Sequence, residues 1–362
     1  MKIIDIQIGR LAIPLKKPFK TALRTVNAID DVIVKITTDS GQVGYGEAAP
    51  TAVITGDTTG SISYAVENVI AKQLIGMELE NTEAIMENVD RCMVKNTSAK
   101  AAVDIAIYDL VGQLYHTPLY QLWGGYRNQF HTDITISVNE PEQMAIDSLE
   151  AVHLGYQTLK VKVGKDSRKD IERIKAIRKV IGYDAAIRID ANQGWQPKEA
   201  VRALRRVEDE GLAIELVEQP VPAHDFEGLK HVTDNVSIPV MADESVFTPL
   251  DALKIMQMRA ADLINIKLMK TGGIHNALKI CAMAEVYGIE CMMGCMLEGK
   301  ISVTAAAHLA AAKRVITKID LDGPSLCSED PIVGGAIFDE HQITMNQDAG
   351  FGFKAIPWNP QE

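Results

Sequence analysis

The sequence predicts an α/β fold in which a smaller α+β domain precedes a closed barrel of parallel strand-helix units. Three observations carry that expectation. From Thr132 onward, short β-rich runs alternate with amphipathic helical stretches, the pattern of parallel βα units. The charged residues closing these runs, Lys162, Asp190, Glu218, Asp243 and Lys267, follow one another at steps of 24 to 28 residues, the length of one strand plus one helix. The first 125 residues read differently, with strands first and helices afterwards.

In chain order, the stretch IDDVIVKITTDSGQVGYGEAAP alternates apolar and polar positions on either side of Asp39-Ser40-Gly41, which predicts an antiparallel meander. Gly44 and Gly46 read as further turn glycines of that hairpin, because no helix opens after them as a phosphate-binding loop requires. Helical patterns follow in SISYAVENVIAKQLIG, NTEAIMENVDRCMV and SAKAAVDIAIYDLVGQLY, the last rich in Ala and expected to be buried. Together these give an α+β domain over 1–125. The runs ITISV, TLKVKV, AAIRID, IELVEQ, PVMADE, LINIKL and ECMMGC then supply the barrel strands of a domain over 126–322. A regular repeat of this length without a Gly-rich dinucleotide turn favours a barrel over an open doubly wound sheet. The pattern stops after Asp322, so residues 323–362 are expected to pack back on the first domain.

Bulk properties exclude several function classes. A chain of 362 residues with 47% hydrophobic and 23% charged residues is ordinary globular usage. The net charge of -11 is spread along the chain, which argues against nucleic acid or an anionic membrane as a partner. The charge-free run from Ile301 to Ala312 is too short for a membrane span, and Asp5 and Arg10 interrupt the apolar core of a signal peptide. The five cysteines form no CxxC pair, which suits reduced thiols and predicts a cytoplasmic protein. Cys291 and Cys295 have no second Cys/His pair at zinc spacing.

In a barrel, the C-terminal ends of the strands converge on one mouth. Asp190, Glu218 and Asp243 end three successive strands there, in IDAN, VEQP and ADES. Three converging carboxylates repel unless a cation joins them, and oxygen ligands without His or Cys point to Mg²⁺. Lys160 and Lys162 in LKVKV share one strand face. Two ammonium groups about 5 Å apart at an effective dielectric of about 20 repel by roughly 3 kcal/mol, which predicts one lysine moved towards use as a base. Lys267 ends a strand on the opposite side of the barrel, so a substrate between them meets a base on each face. Removing a proton alpha to a carboxylate makes an enediolate that a divalent cation stabilises. An imine-forming aldolase lysine is the alternative of another class.

The motifs LKVKV, RIDANQGW, ELVEQPV, MADESVF and INIKLMKTGG, in this order, resemble the enolase superfamily and its muconate-lactonizing-like subgroup, a resemblance that covers nearly the whole chain. The resemblance implies a (β/α)7β TIM-like barrel with an N-terminal α+β capping domain. It also implies Asp190, Glu218 and Asp243 as Mg²⁺ ligands, with Lys162 and Lys267 as the acid/base pair. Within the subgroup, FKTALRT, VITGD, TISVN, MGCMLEGK and KIDLDGP are similar to dipeptide epimerases. That similarity implies Arg24, Ile54, Thr135, Lys160, Cys295, Asp320 and Asp322 as substrate-binding residues. The implied substrate is an L,L-dipeptide such as L-Ala-L-Glu, inverted at the second residue. Its ammonium would lie against Asp320 and Asp322, and an acidic side chain against Arg24 unless Arg24 pairs with Asp57 or another carboxylate of the capping loops. Gly299 is expected to leave room in the pocket beside Met296 and Leu297. o-Succinylbenzoate synthase, N-acylamino-acid racemase and muconate cycloisomerase share the lysines and the metal and remain alternatives. A homo-oligomer is left open.

Overall fold

The structure, a computed structural model, describes residues 1–21, 24–164 and 166–359; positions 22 and 23 of the FKTALRT stretch and position 165 lie outside the described residues, as do the last three. Three strands open the chain, β1 Ile3–Lys20, β2 Thr25–Thr38 and β3 Val43–Ala48, in an antiparallel meander of order β1-β2-β3. The period of two sorts their apolar residues between two cores. Val32, Val34 and Ile36 face the helices of the first domain. Leu11, Ile13, Ile29 and Ile33 face Leu297 and Ile301 of the barrel.

Helical segments follow: α1 Thr59–Tyr64, a π-helical turn Ala65–Ile70, α2 Ala71–Leu74, α3 Thr82–Arg91, α4 Thr97–Leu114 and α5 Leu119–Leu122. As its alanines predict, α4 is buried along nearly its whole length, Ser98 to Gly112. Gly41 does take a turn conformation, with φ of 87°. Gly44 and Gly46 do not: they lie inside β3, where a Cβ would overlap the carbonyl oxygens of Ala106 and Ala102. The turn reading of these two glycines is therefore corrected. They are small because α4 crosses the sheet at backbone contact.

After a short strand, β4 Gln129–His131, the parallel units run β5 Ile134–Ile136, α6 Pro141–His153, β6 Thr158–Lys162, α7 Ser167–Ile181, β7 Ala186–Asp190, α8 Pro197–Asp209, β8 Ile214–Glu218, α9 Phe226–Thr233, β9 Val240–Ala242, α10 Pro249–Met258, β10 Leu263–Ile266, α11 Leu268–Thr271, α12 Ile274–Tyr287, β11 Glu290–Gly294, α13 Lys300–Ala312 and β12 Ile316–Asp320. The strands form one sheet ordered from β12 through to β5. Side chains close the seam between β5 and β12. Arg188 Nη1 donates to Asp133 Oδ2 at 2.8 Å and to the Ile319 carbonyl at 3.1 Å, and Leu321 N donates to Thr132 Oγ1 at 2.8 Å.

Inward positions alternate along each strand and stack in layers. Leu216, Met241, Leu263 and Met292 form an apolar plug. Two residues further along their strands stand Glu218, Asp243 and Asn265, which places the polar layer above a dry floor. The remaining chain includes α14 Gly323–Leu326 and four short strands, β13 Val333–Gly334, β14 Ile337–Asp339, β15 Gln342–Thr344 and β16 Phe353–Ala355. It touches both parts: Arg10 N donates to the Asn359 carbonyl at 3.1 Å, Trp358 stacks edgewise on Tyr45, and β15 pairs with β4. Among the described residues, no helix is long and apolar enough to cross a membrane.

Candidate active site

Parallel register brings Lys162 opposite Asp190 and Asp190 opposite Glu218, while Asp243 and Lys267 immediately follow β9 and β10. All five are buried at the barrel mouth. Lys162 Nζ lies 2.6 Å from Asp190 Oδ2, and Lys267 Nζ lies 2.7 Å from Asp243 Oδ2. The two lysines stand four strands apart in an eight-stranded sheet, hence on opposite walls. Lys160 Nζ sits between the carboxylates, 2.7 Å from Asp320, 2.8 Å from Glu218 and 3.4 Å from Asp190.

These distances correct the expectation drawn from the KxK pair. Burial lowers the Lys160 ammonium, yet Asp320, Glu218 and Asp190 raise it well above the ordinary lysine value. Burial likewise acts against the charged form of Lys267, and Asp243, Glu218 and Glu244 together outweigh it, raising this lysine too. Lys160 has three carboxylates within 3.4 Å, so at this residue of LKVKV attraction wins over repulsion.

The acids, in turn, exceed the bases. Burial and the charges of Asp190 and Asp243 push Glu218 up to about 7, and burial with Asp243 and Asp190 pushes Glu244 up to about 8. Lys270, fully buried on α11, holds Asp243 Oδ1 at 2.6 Å and donates to the Asn265 carbonyl at 2.9 Å. Asn265 Nδ2 donates to Glu218 Oε1 at 2.9 Å, and Asn192 N donates to Asp190 Oδ1 at 2.8 Å. Glu244 Oε2 and Asn192 Oδ1 are buried without a hydrogen-bond partner. Glu218 Oε2 and Asp243 Oδ1 accept no aligned hydrogen bond either, despite the nearby ammonium groups. Among the described residues, no three acid, His or Cys side chains form a ready-made cage, because ammonium groups stand between the acids. The donor set is nevertheless all hard oxygen with excess negative charge and orphaned acceptors, which fits a divalent cation of the magnesium type.

The other anticipated residues line the same cavity: Arg24, Ile54, Thr135, Cys295, Asp320 and Asp322. Asp322 Oδ2 accepts from Thr135 N at 2.7 Å. Burial and the neighbouring Asp320 push Asp322 up to about 6. Asp320 is paired with Lys160, so the two aspartates are not equivalent. Arg24 lies in the capping loop, where burial lowers its guanidinium and Asp31 opposes that. Asp57 accepts from Ser98 N at 3.0 Å at the start of α4, and the carboxyl whose charge acts on Arg24 is Asp31. Met296 and Leu297 do line the cavity. Gly299 does not make room there: a Cβ would strike Glu47 Oε1 and Leu11 Cδ2, so it faces the capping sheet.

Lys270, Glu244, Asn192 and Asn265 were not anticipated. Lys270 lies three residues after Lys267, and Asn265 lies two before it, which are the helix and strand periods that bring neighbours to the same face. Asn192, by contrast, reaches the mouth through a left-handed turn, φ 43°, that no periodicity announces.

Comparison with known proteins agrees with this architecture. Residues 3–124 match the mandelate racemase/muconate lactonizing enzyme N-terminal domain, and residues 143–356 match the enolase C-terminal domain-like family. The L-Ala-D/L-Glu epimerase of Clostridium acetobutylicum is 66% identical over 98% of this chain and 99% of that relative. Among solved structures, a substrate-liganded complex of the L-Ala-D/L-Glu epimerase from Bacillus subtilis superposes with a TM-score of 0.96, at 54% identity, over 98% of this chain and 99% of that one. A dipeptide epimerase from Enterococcus faecalis, complexed with Mg and L-Leu-L-Tyr, gives 0.95 at 47% identity over 98% of this chain and 100% of that one. With both of its parts matched, the chain belongs to the enolase superfamily, of the mandelate racemase/muconate lactonizing enzyme type.

Proposed function

We propose that the protein is a magnesium-dependent dipeptide epimerase that inverts the alpha carbon of the second residue of an L,L-dipeptide such as L-Ala-L-Glu. The observation that carries this reading is the division of charge across the cavity. Lys162 and Lys267 stand on opposite walls beside Asp190 and Asp243, and Asp322 offers a buried acid beside Asp320 that no lysine pairs with among the described residues. A substrate with an ammonium at one end and a carboxylate at the other fits that division in one orientation only. The ammonium goes to Asp322 and the carboxylate towards Lys160 and the metal-binding acids. The reacting carbon then lies between the two lysines. N-Acylated substrates lack the ammonium that Asp322 selects.

Asp190, Glu218 and Asp243 would hold Mg²⁺, which supplies charge stabilisation for the enediolate when bound. The chain's own groups do the rest. Lys162 removes the alpha proton from one face, and Lys267 delivers a proton to the other, which inverts the centre; the reverse direction exchanges their roles. Lys160 contributes a fixed positive charge beside the substrate carboxylate, since its carboxylate neighbours keep it protonated. Lys270 and Asn265 keep Asp243 and Glu218 oriented.

The test is chiral analysis of L-Ala-L-Glu incubated with the protein. The expected product is L-Ala-D-Glu, formed with Mg²⁺, lost with EDTA and restored by added Mg²⁺. No second stereoisomer from a panel of acidic and apolar L,L-dipeptides would refute the assignment.

A further inference from the structure

Where the capping sheet meets the barrel, three carboxyl side chains are buried together: Asp31 of β2, Glu47 of β3 and Glu298 of the loop before α13, at 1%, 0% and 2% exposure. None of them forms an ion pair among the described residues. Ile33 pairs with Glu47 across β2 and β3, so Asp31, two residues before Ile33, lies diagonally on the same face. Both carboxyls are buried on that face, and Glu47 Oε1 has no hydrogen-bond donor among the described residues. Two neighbouring buried carboxylates without a counter-ion repel, and a single proton between them both removes one charge and supplies the missing donor.

The pair also grips the barrel. Asp31 Oδ2 accepts from Gly299 N at 3.2 Å, and Glu47 Oε2 accepts from Ser302 N at 2.9 Å and Ser302 Oγ at 3.1 Å. These are donors at the start of α13, which otherwise lacks a side-chain cap. Glu47 Oε1 is left without a donor, and a proton on the neighbouring Asp31 would supply one. Just before Gly299, Glu298 Oε1 accepts from Met296 N at 2.6 Å, and Cys295, Met296 and Leu297 line the substrate cavity.

We propose that Asp31 and Glu47 are positioning residues whose shared proton clamps the capping sheet to the start of α13 and so holds Cys295, Met296 and Leu297 in place as a wall of the substrate pocket. Burial first, and then the charge of Glu298 against the Ser302 hydrogen bonds, push Glu47 up to about 7; burial and the charges of Glu47 and Glu298 push Asp31 well above the ordinary carboxylate range. The groups facing the pair are Glu298 from the barrel loop, Arg24 from the capping loop and Cys327 from the C-terminal segment. Lys267 lies beyond Glu298, and Lys16 and Asp330 beyond Cys327. A glutamine at position 47 brings its own donor, so it can make the link without a proton.

The experiment compares wild type, Glu47→Gln and Glu47→Ala. Its kinetic arm rests on the dipeptide reading, so a second arm uses no substrate. At neutral pH with L-Ala-L-Glu and Mg²⁺, Glu47→Ala should raise KM about tenfold with kcat changed less than about threefold, and Glu47→Gln should restore KM. Without substrate, the Gly299 and Ser302 amides should exchange with deuterium about tenfold faster in Glu47→Ala and at the wild-type rate in Glu47→Gln. The fall in melting temperature between about pH 4 and pH 7 should be smaller in Glu47→Gln than in wild type, because over that window the wild-type link keeps a proton that the unfolded chain gives up. Wild-type KM and exchange in Glu47→Ala overturn the proposal. So does a pH-dependent melting curve that Glu47→Gln leaves unchanged, which decides the matter if Glu47→Ala does not fold. A failed dipeptide assignment shows itself differently, as absent turnover in every protein with the exchange differences intact.

Discussion

At the scale of single residues, the site is organised by which charges are already matched and which await a ligand. Arg24 has Asp31 as its electrostatic neighbour but forms no ion pair among the described residues, so an acidic substrate side chain competes on favourable terms. Arg24→Ala should therefore shift the ratio of kcat/KM for Ala-Glu over Ala-Leu towards the apolar dipeptide. The expected size is about 1 to 3 kcal/mol for a desolvated pair, and equal ratios in the two proteins would remove Arg24 from specificity. The metal assignment has its own residue-scale consequence. Asp243→Asn takes one charge from the three-acid set and leaves Lys270 facing a neutral amide, so Mg²⁺ affinity read by calorimetry should fall about 10- to 100-fold. Unchanged affinity contradicts the assignment. Strand period and spacing made Lys160, Lys162, Asp190, Glu218, Asp243 and Lys267 legible in the sequence. The protonation of the lysines was not, because it depends on carboxylates brought in from strands distant in sequence.

At the scale of elements, the alternation of apolar residues located the meander, α4 and the barrel strands, since each buries a face with its own period. What it misread was β3, where glycine served as a turn signal although Gly44 and Gly46 lie mid-strand against α4. The evidence for a glycine inside a strand is the backbone that approaches it, and that backbone belongs to another element. Gly46→Val should test the contact: the added carbons have no space beside the Ala102 carbonyl, so the substitution should destabilise the protein by at least 1 to 3 kcal/mol, about the usual cost of overpacking. Denaturant unfolding reads this directly. Gly41→Ala, at an open turn, should be limited to the roughly 1 kcal/mol cost of a left-handed φ.

At the scale of the whole molecule, two parts meet through buried acids, and stability should follow pH accordingly. Burial pushes Asp104 up to about 8 and Asp109 up to about 7. Asp104 accepts from Ile274 N at 2.7 Å and Asp109 from Phe351 N at 2.9 Å, so each ties α4 to a distant segment. A carboxyl raised on folding binds more protons in the native state. Stability from these groups is thus greatest at acid pH and falls as pH rises from about 4 towards 8. Asp104→Asn should flatten the fall in melting temperature over that window, and an unchanged slope would exclude Asp104 as a contributor. The central claim also belongs to this scale, because it depends on a closed barrel placing β6 and β10 on opposite sides of one cavity. The decisive measurement is deuterium incorporation at the second alpha carbon in deuterium oxide with Mg²⁺, for Lys162→Ala and Lys267→Ala, each given L-Ala-L-Glu and L-Ala-D-Glu separately. Each variant should exchange only the epimer whose proton faces its remaining lysine, the two variants should choose opposite epimers, and neither should interconvert them; epimerisation by either variant at the wild-type rate would contradict the account.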